Sequence, residues 1–224
     1  MRIIDFEELV RHLPYEYQAF NVNPENWKDV GHTEIISKIF SGKESVTISR
    51  FDLFHSTRNL KSFVIKLLMW GYPNKGRGKN IENLLLPENF ELLISKLSLA
   101  IEKKNISIQE VKELINGIKG IRLSTLSKIL YFSRVNVESF PALILDQRVI
   151  NALNGDSKFQ DIGIEKFKNL NYTNAINSYV DYLKFIYGLA IQIKALPDQI
   201  EIFLFMFGTS LKELEGENGD WSDL

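Results

Sequence analysis

The chain contains no cysteine. No disulfide, thiolate zinc site or cysteine-ligated iron–sulfur cluster can form, and a reducing prokaryotic cytoplasm is the expected setting. Histidine is almost as scarce: His12, His32 and His55 stand at no spacing that would hold a metal, so neither a metal nor a cofactor is expected. Long apolar runs are missing as well. The greasiest stretch, Ile200–Gly208, falls far short of a bilayer span and is interrupted at Glu201, so no membrane contact is expected. The opening residues MRIIDFEEL carry an acid at the fifth position and no apolar core, unlike a signal peptide. Excess charge of either sign is absent too: 27 Lys and Arg against 28 Asp and Glu leave a net charge of −1. That excludes a histone-like, wholly electrostatic DNA binder, yet a phosphate track needs only local basic residues. There is no repeat, no low-complexity tract and no Gly-x-Ser-x-Gly elbow. GRGKN (76–80) lacks the P-loop spacing and the Ser or Thr after its lysine.

What the chain does have is 45% hydrophobic residues over 224 positions, enough for a substantial core in one domain or two closely packed lobes. Helical spacing dominates. It predicts a short N-terminal turn through Phe6, Val10 and Leu13, then helices over Asn26–Phe40, Arg58–Trp70 and Pro87–Lys104. Ser107 with Glu110 is a capping box that opens a helix over Ile108–Ile115. Further helices are expected at Leu123–Ser133, Asn171–Lys194 and Pro197–Phe207. Ser45–Ser49 and Ala142–Leu145 are candidates for extended chain, and Gly71–Asn80 (GYPNKGRGKN) is the clearest loop. The expectation is a mostly α fold. Acidic residues concentrate at the ends, notably Glu213–Asp223. Arg50, Arg58, Lys61, Lys66, Lys75, Arg77, Lys79, Lys119, Arg122, Lys128, Arg134 and Arg148 fill the middle and permit a basic face there.

Between two of these helices, Asn116–Arg122 (NGIKGIR) reads as a hairpin with two glycines, Gly117 and Gly120, and two basic side chains, Lys119 and Arg122. Ile115, Ile118 and Ile121 would anchor it on the core. In a helix–hairpin–helix, the hairpin amides and the N-terminus of the second helix, here near Ser124, face one DNA phosphate. An ordinary interhelical turn would use the same glycines. On the second helix, Leu123, Leu126, Ile129 and Leu130 form the core stripe, which leaves Lys128 on the polar flank, where lysines are usually solvated. Asp146 ends an apolar run just before RVINAL, a good N-cap worth about 1 kcal/mol. Capping would fix its rotamer and leave one carboxylate oxygen free. Lys128 and Asp146 stand 18 residues apart, both in the segment that follows the hairpin.

Gly117–Val149, with SKILYF around the lysine and ILDQRV around the aspartate, resembles the helix–hairpin–helix DNA glycosylase superfamily. The likeness is to the archaeal-type 8-oxoguanine glycosylases and to bacterial proteins of that fold. WGYPNKGRGKN (70–80) and PDQIEIFLFMFG (197–208) resemble the bacterial group. The resemblance implies one glycosylase domain over residues 1–224 in two packed helical lobes, with a catalytic segment at about 107–153. It makes Lys128 the Schiff-base lysine and Asp146 the catalytic carboxylate. The implied partner is duplex DNA with a modified base flipped out, bound by a monomer. The family's Gly–hydrophobic–Gly hairpin reads Gly120–Ile121–Arg122 here, so a side chain replaces the second glycine.

The chemistry suits these residue types. A carboxylate stabilises the oxocarbenium-like sugar, and an amine can attack C1′ and hold the sugar as an imine whose β-elimination would nick the strand. Burial against Tyr131 and Phe132, with loss of hydration, would make the Lys128 amine a better nucleophile. A flipped base needs stacking surfaces, for which Trp70, Tyr72, Tyr131 and Phe132 are the candidates. Lys75, Arg77 and Lys79 in the loop, with Arg148 beyond Asp146, extend the expected DNA contacts. The substrate the resemblance implies is 8-oxoguanine. Two rivals stand beside it: a phage-defence glycosylase that removes glucosylated hydroxymethylcytosine, and a non-catalytic helical module in which Lys128 is a surface lysine and Asp146 only a cap.

Overall fold

The computed structural model describes residues 1–76, 78–154 and 159–211, so Arg77 and the acidic stretch 213–223 lie outside the described residues. Helix dominates, as the periodicity predicts. The helices are α1 (Glu7–Arg11), α2 (Thr33–Phe40), α3 (Arg50–Phe54), α4 (Leu60–Gly71), α5 (Asn80–Leu84), α6 (Pro87–Lys103), α7 (Ile108–Gly117), α8 (Leu123–Phe132), α9 (Gln147–Leu153), α10 (Tyr179–Ile193) and α11 (Pro197–Phe207). Strands are few. β1 (Ala19–Val22) pairs antiparallel with β2 (Val46–Ser49), while β3 (Asn105–Ile106), β4 (Asn136–Val137) and β5 (Phe140–Pro141) form a small second sheet. No described helix is long and apolar enough to cross a membrane.

Local chemistry sets most boundaries. The capping box at α7 is made: Ser107 Oγ accepts from the Glu110 amide at 3.2 Å and Glu110 Oε2 accepts from the Ser107 amide at 2.8 Å. Pro87 and Pro197 each open a helix at a position that needs no amide donor. Two expected helices are shorter than their periodicity suggests. The segment 26–40 is interrupted by His32, whose φ of 64° lies in the left-handed region, so α2 starts only at Thr33. In the segment from 171, Asn171 and Asn174 bond the backbone of their own turn, with Thr173 N to Asn171 Oδ1 at 2.9 Å and Asn171 N to Asn174 Oδ1 at 2.9 Å. Those bonds compete with helix, and α10 begins at Tyr179.

Two groups of helices share one continuous core. In the first, α1, α9 and α10 pack on α11, and the chain start is tied down where the Ile3 and Ile4 amides donate to Asp161 at 2.6 and 3.3 Å. In the second, α2, α6 and α8 pack on α4, with α5 on α6 and α7 on α8. Helix α8 is sunk between them, and every residue from Leu123 to Phe132 is buried. The apolar run 142–145, a candidate for extended chain, joins no strand ladder. Its backbone groups are satisfied by side chains: Tyr179 and Tyr182 hydroxyls donate to the Leu143 and Ile144 carbonyls at 2.8 Å each, and Ser127 Oγ accepts from the Leu145 amide at 3.2 Å. At about 1 kcal/mol per bond, these contacts stitch the run against α8 and α10 and fix where it ends. It ends at Asp146.

Candidate active site

Asp146 caps α9 with one oxygen, accepting the Arg148 and Val149 amides at 3.0 and 3.2 Å on Oδ1. Its other oxygen, Oδ2, faces Lys128 Nζ at 3.5 Å. That is an ion-pair distance rather than a hydrogen bond. Lys128 is not on a solvated flank, as the helical stripe alone implies; it is only 3% exposed. The reason lies in the packing of α8, which is covered on all sides, with Gly71 leaving room for the lysine stem. A Cβ on Gly71 would stand 3.2 Å from Lys128 Cδ. The ammonium donates to Ser124 O at 3.2 Å and to Ser124 Oγ at 3.0 Å, one helical turn back. Tyr72 closes the other side, its ring centroid 5.6 Å from Nζ and its hydroxyl 2.8 Å from Thr125 Oγ1.

These residues line a cavity of about 320 Å³. Its walls are Phe20, Trp70, Tyr72, Pro73 and Phe205, with Ser124, Lys128 and Asp146 at its polar side and Gln147 and Arg148 beside them. Trp70 is held by an indole bond to Gln18 O at 3.3 Å and meets Phe20 edge-on at 5.7 Å. Arg148 is exposed and lays its guanidinium 4.9 Å from the Phe205 ring. Larger grooves exist, including one of about 400 Å³ between α6 and α7, but they are lined by no buried lysine.

Of the four aromatic candidates, Trp70 and Tyr72 line this cavity and Tyr131 and Phe132 do not. Phe132 is core, edge-on to Trp70 and Phe54. Tyr131 points to a different cavity, where its hydroxyl donates to Asp198 at 2.6 Å. Phe20 and Phe205 escaped the sequence reading because nothing in β1 or at the end of α11 marks them apart from core residues.

The hairpin is present. Ile118 and Ile121 are buried and Ile115 partly so, as anchoring requires. Only one of its glycines is conformationally necessary. Gly120 has φ +94°, and a Cβ there would meet the Asn80 carbonyl oxygen at 2.4 Å and the Leu84 amide nitrogen at 2.6 Å. Gly117 ends α7 in open space. Arg122, where the family pattern has glycine, is extended at φ −136°, which any residue adopts, and it supplies no side-chain cap to α8. The first amides of α8 are therefore not taken by a capping side chain. Lys119 and Arg122 are exposed on this turn, and its contact with α5 brings it beside the end of the basic loop. In that loop Lys79 is exposed, while Lys75 is paired with Glu82 at 3.2 Å, so its charge is partly neutralised. Arg50 belongs to no basic face. It is sealed in the core against Glu201, Nη1 to Oε2 2.7 Å, and the Glu201 carboxyl is pushed up by burial, with Arg50 opposing that rise.

The family described as "Putative 8-oxoguanine DNA glycosylase OGG-like protein" matches residues 14–205. No curated protein and no solved structure matches the chain. The matched span takes in the hairpin, both residues of the Lys128–Asp146 pair and every residue that lines the cavity. The chain therefore belongs to this OGG-like family.

Proposed function

We propose that this protein is a DNA glycosylase that removes an oxidised purine, 8-oxoguanine, with Lys128 as nucleophile and Asp146 as the carboxylate that stabilises the cationic sugar. One observation carries the reading: a lysine 3% exposed, its amine 3.5 Å from the uncommitted oxygen of an N-cap aspartate, beside an aromatic-walled cavity. Burial of this kind argues against the rival in which Lys128 is a surface residue and the chain a silent binding module.

In this mechanism the base leaves the stack and enters between Trp70 and Tyr72. Lys128 gives up a proton, which neutralises the departing base, and its lone pair forms the Nζ–C1′ bond as the N-glycosidic bond breaks. Asp146 stays ionised beside the sugar as positive charge develops on it, and its rotamer is already set by the cap. The Ser124 carbonyl and hydroxyl orient the amine. Opening of the sugar ring gives an imine, and loss of the C2′ proton with the 3′ phosphate would complete a lyase step. The hairpin, Arg122 and Lys119 hold the backbone without reading sequence.

Borohydride reduction with duplexes carrying 8-oxoguanine, uracil, an abasic site or glucosylated hydroxymethylcytosine tests this directly. A covalent adduct formed first with 8-oxoguanine duplex supports the reading. An adduct only with the glucosylated cytosine moves the substrate to phage DNA, and no adduct with any duplex removes the lysine chemistry.

A further inference from the structure

A second cavity, of about 400 Å³, opens at the C-terminal end of α8. Tyr15, Phe54, Tyr131 and Tyr187 supply four aromatic faces, and Glu16 and Asp198 supply two carboxylates. A layer made by Trp70, the Arg50 guanidinium and Tyr131 separates it from the Lys128 cleft, with Arg50 5.5 Å from each ring centroid. We propose that this cavity is a second ligand site, for a small organic cation bearing a guanidinium or primary ammonium group.

The carboxylates are built in and incompletely used. Asp198 Oδ1 accepts from the Tyr131 hydroxyl at 2.6 Å, and Tyr131 is itself 5% exposed, so the pair is held by the core. No protein donor reaches Asp198 Oδ2 among the described residues. Glu16 Oε1 takes only the Tyr15 hydroxyl, at 3.3 Å. Burial and the nearby Asp198 push the Tyr15 phenol up to about 12, so it remains a neutral donor with an electron-rich face. Tyr187, which donates to the Pro141 carbonyl at 3.3 Å, is raised in the same way.

Three basic side chains stand at or behind this cavity. Arg50 is paired with Glu201, His55 Nδ1 meets the Phe51 carbonyl at 2.8 Å, and Arg134 is exposed at the rim with its guanidinium 5.6 Å from the Phe54 ring. That last contact is this protein's own example of a guanidinium on an aromatic wall of the cavity. An anion entering here would meet two carboxylates; a cation would meet two carboxylates and four π faces, with Arg134 at the rim the one opposing guanidinium among the lining residues. The volume suits a ligand of a few to a dozen heavy atoms. This site does not depend on the reading of the Lys128 cleft.

Butylguanidinium and its neutral counterpart butylurea separate charge recognition from shape. Each is titrated into the full chain while tyrosine ring resonances are followed by NMR. We expect saturable shifts at the Tyr15, Tyr131 and Tyr187 rings with butylguanidinium, much weaker ones with butylurea, and an affinity about tenfold lower in Asp198→Asn. Glu16→Gln, on a partly exposed side chain, carries the same test if Asp198→Asn does not fold cooperatively. The proposal is overturned by no saturable shift up to about 50 mM, by equal binding of butylurea, by shifts confined to the Lys128 cleft, or by undiminished affinity in every variant that folds.

Discussion

Asparagine at position 146 keeps the shape and much of the capping ability of aspartate while removing its charge. Because Oδ1 serves the α9 amides and Oδ2 faces Lys128, the substitution separates the two roles of one side chain. Asp146→Asn is expected to lower the single-turnover excision rate by two orders of magnitude or more, on the order of 3 kcal/mol of transition-state stabilisation. Its melting temperature should change by only a few degrees. Wild-type excision by this variant would reduce Asp146 to a cap. The helix cap at Asp146 could be read from sequence, since its motif is local, whereas the partnership with Lys128 is implied only by the resemblance to the glycosylase superfamily. The burial of Lys128 could not. It comes from Gly71 on α4, far away in sequence, and from α8 being covered on every face.

Helix boundaries that rest on local chemistry were readable, and those set by packing were not. The Ser107–Glu110 box and the proline starts mark three helices correctly, whereas His32 and the Asn171–Asn174 turn break two periodic stretches without altering their hydrophobic pattern. At α7, the Lys103 ammonium and the Ser107 amide together draw the Glu110 carboxyl down to about 2 from 4.5. A depressed folded-state value means the cap's contribution is fully present above pH 4.5 and is lost as pH falls toward 2. Ser107→Ala should therefore cost about 1 kcal/mol at neutral pH, and the difference from wild type should shrink across that acid window in urea unfolding. The hairpin gives two sharper tests. Gly120→Ala sets a Cβ against fixed backbone at 2.4 Å and forces φ +94° on an L residue, so it should lose about 2 kcal/mol or more in the same assay. Lys119→Ala with Arg122→Ala touches only exposed side chains and should leave stability alone. If both contact phosphate, the slope of log K against log salt becomes shallower by about 1.8, while excision at saturating enzyme changes little. Unchanged affinity and slope would make Asn116–Arg122 a plain interhelical turn.

Across the whole molecule, the feature hidden from sequence is the buried Arg50–Glu201 pair, which joins α3 to α11 behind the cleft. Glu201 looks like an interruption of an apolar run and Arg50 like part of a basic face; each makes sense only when the ends of the chain are brought together. Glu201→Gln leaves a buried guanidinium without its countercharge and should destabilise the fold by about 3 kcal/mol or more, read by chemical denaturation. The net charge of −1 likewise says nothing of the local arrangement: exposed Lys119, Arg122, Lys79 and Arg148 stand on elements around the Lys128 cleft. All of these features matter to function only if the amine at the cleft forms a bond with the sugar. Lys128→Ala, incubated with an 8-oxoguanine duplex and borohydride, is the direct measurement. The wild-type chain should give a covalent protein–DNA band, and the variant should give none while binding the duplex with nearly unchanged affinity. An equally strong band from Lys128→Ala would contradict the mechanism, because another amine would then be the nucleophile.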